Sequence, residues 1–176
     1  MTEFLQQIIN GLIVGGIYSL VALGYTMVYG ILQLINFAHG DIVMVGAMAA
    51  LLAAKVLMTL FPGMPGPLVL ALSVEAAVVV CVPLSLIIER VAYRPLRNAP
   101  RLAPLITAIG VSLTLQTIVM VFFGRNYHEF PSLVPQEPIE FHGLVISVTQ
   151  IIILVLSLVC MVCLALLIEK TQVGRM

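Results

Sequence analysis

Charged side chains are scarce in this sequence: they make up 9% of its 176 residues, whereas hydrophobic residues make up 61%. A soluble domain carries about 25% charged residues. The mean hydropathy is +1.17, the formal net charge is zero, and no basic stripe of the kind that binds nucleic acid is present. These absences exclude an ordinary soluble domain and a nucleic-acid-binding protein. They indicate a polytopic membrane protein.

Cysteine is scarce too, and the three that occur (Cys81, Cys160 and Cys163) all lie in apolar runs. Cys160 and Cys163 have C-x-x-C spacing, but no second pair and no nearby histidine accompanies them. We interpret them as small apolar packing residues, not as a metal or redox site. The sequence also contains no glycine-rich phosphate-binding loop of the P-loop type. We expect no metal and no cofactor in this chain.

Five segments reach the roughly 20 apolar residues that a helix needs to cross a bilayer. They are about Ile8–Tyr29, Asp41–Leu60, Leu68–Ile88, Leu105–Phe123 and Leu144–Ile168. A tight, uncharged turn with three prolines joins the second to the third, and a longer Pro-rich loop, Arg125–Gly143, precedes the fifth. We predict an all-α polytopic membrane helix bundle, a single transmembrane domain over residues 1–176, with about five transmembrane helices.

The basic residues predict the orientation of the chain. Six of the eight lie on one side if the five segments alternate: the loop residues Arg90, Arg94, Arg97 and Arg101, together with Lys170 and Arg175. By the positive-inside rule this side is cytoplasmic. The N-terminus and the Arg125–Gly143 loop are then outside.

A polar stretch, Asn36–Asp41, interrupts the apolar chain between the first two predicted helices. Gly40 can adopt backbone angles closed to other residues, and Asp41 is a suitable N-cap for the helix that follows. One interpretation is a polar turn at the membrane surface with a capping aspartate. The other is a discontinuous helix that lines a transport path, because ionisable groups at membrane depth usually face a protein interior or a water-filled cavity.

Polar or small residues also recur at helical spacing within the first and fourth predicted helices, and the third contains a single acidic residue. In the first, such a face predicts a packing seam, with contact to a ligand as the alternative. In the fourth, a threonine face is either structural, each hydroxyl bonding its own backbone, or the lining of a pore. In the third, Glu75 is either a functional acid or a hydrogen-bonded carboxyl between helices. The seam is Gly11, Gly15, Tyr18, Ala22 and Tyr25, and the threonine face is Thr107, Gly110, Thr114 and Thr117.

Three blocks of the sequence resemble one protein family. Asn36-Phe37-Ala38-His39-Gly40-Asp41, the stretch from Glu89 to Arg97, and Ile106-Thr107-Ala108-Ile109-Gly110-Val111-Ser112 are similar, in order and spacing, to blocks of the inner-membrane permeases of ATP-driven branched-chain amino acid importers. Relatives of these permeases include importers of urea and short amides.

The resemblance implies a permease subunit in a bacterial inner membrane, and not an enzyme. Its partners would be a homologous second permease, two cytoplasmic ATPases that bind and hydrolyse ATP, and a periplasmic solute-binding protein. The translocation path would include Asn36, His39, Gly40, Asp41, Thr107, Gly110 and Thr114. The cytoplasmic arginines would contact lipid headgroups or an ATPase.

Members of this family are longer than this sequence, and their ATPase-coupling segment lies just past Thr171–Arg175. We therefore expect the sequence to represent the N-terminal part of a permease and not to transport alone. Three alternatives remain: a proton-coupled secondary transporter that uses Asp41, Glu75 or His39; a non-transporting membrane scaffold; and a membrane enzyme, which no nucleophile–base pair or metal-ligand set supports.

Overall fold

The computed structural model describes residues 2–32, 36–96, 99–100, 102–133, 138–141 and 144–170. Its helices are α1 (Thr2–Leu32), α2 (His39–Leu60), α3 (Gly66–Ile88), α4 (Leu102–Phe123) and α5 (Val148–Lys170). All five are long and apolar enough to cross a membrane. The prediction of five transmembrane helices is confirmed.

The ends of the helices follow local chemistry. α3 begins after Pro65, with proline in its first turn, where no N–H group is needed. α4 ends at Phe123, and the following Gly124, with a φ of +80° and an N–H bond to the carbonyl of Met120, forms a left-handed C-cap. α5 begins with a capping box: the Ser147 hydroxyl accepts from the N–H of Gln150, and the Gln150 side chain accepts from the N–H of Ser147.

A β-hairpin precedes α5, and the sequence did not predict it. Strands β1 (Pro138–Phe141) and β2 (Leu144–Ser147) pair antiparallel, with Pro138 opposite Ser147 and Phe141 opposite Leu144. The prediction that the fifth helix starts at Leu144 is therefore wrong by four residues. The segment from Leu144 to Ser147 is apolar enough to be predicted as part of the helix, but its backbone N–H and C=O groups pair with strand β1 instead.

Two compact units divide the chain: Met1–Met27 with Val134–Met176, and Val28–Leu133. In the first, the Gln6 side-chain amide bonds both backbone groups of Val145, at 2.8 Å and 2.9 Å. Further along, a Cβ at Gly16 would lie 2.8 Å from the Ser157 hydroxyl. Both contacts advance in the same direction along the chain, from Gln6 to Gly16 and from Val145, just before α5, to Ser157 within it, so α1 and α5 run parallel. The first and fifth crossings of a membrane must do so.

In the second unit, α2 and α3 form a closely packed antiparallel hairpin. A Cβ at Gly46 would lie 2.9 Å from the sulfur of Cys81, and Ala54 and Ser73 are fully buried. The small residue at each point lets the backbones approach, as small residues do between membrane helices. This hairpin and α4 carry the polar groups considered next.

Candidate functional site

The polar corner between α1 and α2 is organised by Asn36. Its side-chain oxygen accepts a hydrogen bond from the N–H of Ala38 at 3.1 Å, and its carbonyl accepts from the N–H of His39 at 3.2 Å. A side-chain bond to the backbone two residues on is an Asx turn, which reverses the chain without regular structure. The chain thus breaks before His39 and restarts as α2.

Asp41 does not cap α2. The N-cap residue is Ala38, no side chain makes a capping bond there, and Asp41 lies in the first helical turn. The prediction of an N-cap aspartate is wrong because the Asx turn of Asn36 places the N-cap at Ala38, three residues before Asp41. A carboxylate in a first turn still interacts favourably with the helix dipole.

Tyr93 holds the corner from the end of α3. Its hydroxyl donates a hydrogen bond of 2.6 Å to the side-chain oxygen of Asn36. Tyr93 is the last residue of a π-helical turn, Glu89–Tyr93, which continues α3 and leads into a 3₁₀ turn, Arg94–Leu96. A π turn bonds five residues back instead of four and so redirects the side chains that follow it. Such turns are frequent at functional sites.

Gln116 holds the corner from α4. Its side-chain amide donates a hydrogen bond of 2.9 Å to the carboxylate of Asp41, which is buried, and a longer one of 3.3 Å to the Ser112 hydroxyl. Gln116 lies fourteen residues after Leu102 and seven before Phe123, or about 21 Å and 10 Å along the helix. The carboxylate therefore lies beside an internal turn of a membrane-length helix, about two turns from its nearer end. This location favours a discontinuous helix within the membrane over a turn at its surface.

The threonine face of α4 lines a groove of about 420 Å³. Thr107, Gly110 and Thr114 form one wall, and the other comes from the end of α3 and the π turn, including Ile88 and Val91. The Thr114 hydroxyl donates to the carbonyl of Gly110 at 2.8 Å, so its oxygen can still accept from a ligand. A mostly apolar groove with a few polar groups, in the size range of 300–1,000 Å³ typical of small-molecule sites, can accept an aliphatic side chain.

The predicted path residues thus fall into two groups on opposite sides of α4. Asn36, His39, Gly40 and Asp41 form the corner, and Thr107, Gly110 and Thr114 line the groove. Because Gln116 is two residues past Thr114, the two side chains point about 200° apart. Their function in transport stays a prediction.

Gly40 is not required by its backbone. Gly124 is the one glycine with positive φ among the described residues. Gly40 is helical, and a Cβ built on it meets nothing within 4 Å. The expectation of an unusual backbone conformation at Gly40 is wrong, because Gly40 lies in the first turn of α2 and has no positive φ.

The predicted seam on α1 is exposed in this chain. Gly11, Gly15, Tyr18 and Ala22 are exposed, Tyr25 is half-buried, and Gly11 and Gly15 have open space where a Cβ would be. α1 instead packs through its neighbouring face, which carries Ile13, 7% exposed, and Gly16. The packing of this seam against another helix therefore stays a prediction.

The remaining predicted residues are either exposed or lie outside the described residues. Arg90 and Arg94 are exposed in the π and 3₁₀ turns, and Arg97 and Arg101 lie outside the described residues. Glu75 is exposed on α3. The interpretation of Glu75 as a carboxyl buried between helices does not hold within the described part of the chain.

Sequence reasoning did not assign Tyr93 or Gln116 to the site. Gln116 lies on an otherwise apolar face with Ser112, and an amide within a membrane helix needs a partner. That requirement was the available signal for a contact with Asp41. The sequence around Tyr93 did not predict a contact with Asn36, beyond its place in one of the three blocks that resemble the family. The direction of its side chain depends on the π turn, which the sequence did not predict.

Five membrane-length helices and a polar corner set against the interior of one of them define a polytopic α-helical membrane protein. The family model described as the permease component of the branched-chain amino acid transport system matches residues 7–176. The chain belongs to this family.

Curated relatives agree with this assignment. The chain is 42% identical to the high-affinity branched-chain amino acid transport system permease protein BraD of Pseudomonas aeruginosa, over 98% of the chain and 57% of BraD. It is 38% identical, with the same coverage, to the corresponding LivH permeases of Escherichia coli K12 and Salmonella typhimurium. The chain thus spans little more than half the length of these relatives. No solved structure matches significantly.

Proposed function

We propose that this chain forms part of the membrane permease of an ATP-driven importer of branched-chain amino acids, with related amides and urea as the wider substrate class. The contact of the Asp41 carboxylate with Gln116, beside the interior of α4, carries the proposal. A buried polar group at that position is costly in a purely structural helix bundle and is typical of a substrate path. The family of the chain gives the substrate class.

The two polar groups lie on opposite sides of α4, so a substrate the size of an amino acid would contact them at separate points of its passage. The groove offers aliphatic contacts and the Thr114 oxygen to a branched apolar tail and its neighbouring ammonium group. The corner offers a carboxylate and an amide held in place by Gln116 and Tyr93. A path of this kind binds its substrate weakly, as we expect where a donor protein has already selected it.

The proposed assembly includes a homologous second permease, two cytoplasmic ATPases and a periplasmic solute-binding protein in a bacterial inner membrane. Reconstitution in liposomes of these partners with a permease in which this chain forms the N-terminal part should give ATP-dependent uptake of labelled leucine, isoleucine and valine. The chain without the ATPases should give none. Uptake that needs a pH gradient and no ATP would contradict the proposal and favour a proton-coupled transporter.

Variants of the corner separate transport from folding in the same assay. Asp41→Asn retains an acceptor for Gln116, so it should insert normally and lose most of its uptake if the charge acts in the path. Thr59→Ala is the control and should transport normally, because Thr59 lies at the other end of α2 from Asp41 and its hydroxyl bonds its own helix at Val56. Normal uptake by Asp41→Asn would limit Asp41 to holding the corner together.

A further inference from the structure

A proline directly follows the π turn at the end of α3. In a regular α-helix the N–H at position 95 would bond the carbonyl of Val91, but Pro95 has no N–H, and its ring would collide with that carbonyl. Membrane helices that contain a proline can relieve this conflict by a local π or 3₁₀ adjustment. Both adjustments occur here, because the π turn is Glu89–Tyr93 and Pro95 lies in the 3₁₀ turn Arg94–Leu96.

The backbone before this proline stays helical and changes only its hydrogen-bond register. Arg94 has a φ of −58° and a ψ of −41°, and its N–H bonds the carbonyl of Glu89, five residues back. In α register the same N–H would bond the carbonyl of Arg90. The π turn thus contains one residue more than an α turn, which rotates the residues at its end by about 100° relative to a continuous α-helix.

A proline alone does not produce the wide turn. Pro83 lies inside α3, and the helix continues through it as an α-helix. A second contact holds the turn at the end of α3, namely the bond of 2.6 Å from the Tyr93 hydroxyl to the side-chain oxygen of Asn36. Pro95 removes the competing α bond, and the bond between Tyr93 and Asn36 stabilises the wide turn. Each of the two therefore supports the other.

We propose that Pro95 is a positioning residue for the polar corner: by keeping the end of α3 in π register, it holds the Tyr93 hydroxyl on Asn36. The same oxygen of Asn36 accepts the N–H of Ala38 at 3.1 Å, so the bond from Tyr93 and the Asx turn share one atom. The start of α2, and with it Asp41, then depends on a proline beyond the end of α3.

The π turn also supplies Val91 and Ala92 to the wall of the groove. One turn therefore sets the position of that wall and of the residue that holds the corner. A change of register would move both together, because rotation of the turn displaces all of its side chains. The proposal rests on the proposed function only in treating the corner and the groove as parts of a substrate path.

Amide hydrogen exchange at the corner tests this dependence, measured by mass spectrometry on the purified permease of which this chain forms the N-terminal part. The reporter is the peptide that contains Ala38 and His39, whose N–H groups bond Asn36. Tyr93→Phe removes only the hydroxyl, and Pro95→Ala restores the N–H that favours α register. Each should speed exchange of this peptide by roughly 3-fold to 18-fold, the range for one hydrogen bond between membrane helices.

A double variant and a second proline distinguish positioning from a general loosening of α3. Tyr93→Phe combined with Pro95→Ala should exchange no faster than the faster single variant, because both act through one hydrogen bond. Pro83→Ala is the matched control, since it removes a proline from the same helix six residues before the π turn, and it should exchange at the wild-type rate. Unchanged exchange in Pro95→Ala, multiplied effects in the double variant, or equal acceleration by Pro83→Ala would overturn the proposal.

The exchange measurement needs neither substrate nor ATP, so the two proposals fail separately. A permease that shows the expected exchange but imports nothing refutes the proposed function and leaves the role of Pro95 intact. A permease that imports while Pro95→Ala exchanges like the wild type refutes only the role of Pro95.

Discussion

Replacing Asp41 by alanine removes the acceptor that holds the amide of Gln116 beside α2. Hydrogen bonds between membrane helices average about 0.6 kcal/mol and reach about 1.7. Those to charged groups in proteins contribute about 1.5–3 kcal/mol. Because this acceptor is a buried carboxylate, we expect a coupling near the upper end of the membrane range, about 1.5 kcal/mol. That is about tenfold in the folding equilibrium.

A double-mutant cycle measures this coupling. Asp41→Ala, Gln116→Ala and the double variant would be unfolded with denaturant in detergent micelles. The double variant should lose little more stability than the worse single variant. A cycle of Asp41→Ala with Thr117→Ala is the control, since the Thr117 hydroxyl bonds its own helix at Leu113. A coupling below about 0.3 kcal/mol between Asp41 and Gln116, which is ordinary additivity, would refute the contact.

Three further predictions concern packing and topology. Gly46→Ala should destabilise the α2–α3 hairpin by about 1–3 kcal/mol in thermal unfolding, because its Cβ would lie too close to the sulfur of Cys81. Gly40→Ala should be neutral or stabilising, because a Cβ there lies in open space. Gly16→Ala should likewise weaken the contact between α1 and α5, measured by protease resistance of the ends of the chain, while Gly15→Ala should not. Arg97→Cys should resist a membrane-impermeant thiol reagent added outside intact cells, and labelling there would invert the predicted orientation.

The five helices could be predicted because a long apolar segment in a membrane must satisfy its own backbone hydrogen bonds, which it does as a helix. The predicted start of the second helix, at Asp41, is two residues from its observed start at His39. The β-hairpin before α5 escaped prediction, since Leu144–Ser147 is as apolar as the helix it adjoins. Its strand conformation depends on pairing with residues that lie three to nine positions earlier in the chain.

The site was harder to predict than the fold because polar partners lie far apart in the chain. Asn36 and Asp41 could be chosen as unusual residues in an apolar region. Their partners, Tyr93 and Gln116, are 57 and 75 residues away. The threonine face of α4 was the more regular pattern, yet the structure places it in a separate groove. Regular spacing shows which residues share a face and not what that face meets.

The paired bonds between Gln6 and Val145 have a consequence for the order of assembly. One unit is a continuous stretch, Val28–Leu133, whereas the other joins the beginning of the sequence to residues synthesised more than a hundred positions later. Nearby contacts form sooner than distant ones. During synthesis α1 is therefore complete long before α5, and Gln6 is exposed to water or lipid headgroups until Val145 has been made. The contacts within Val28–Leu133 can form during this interval.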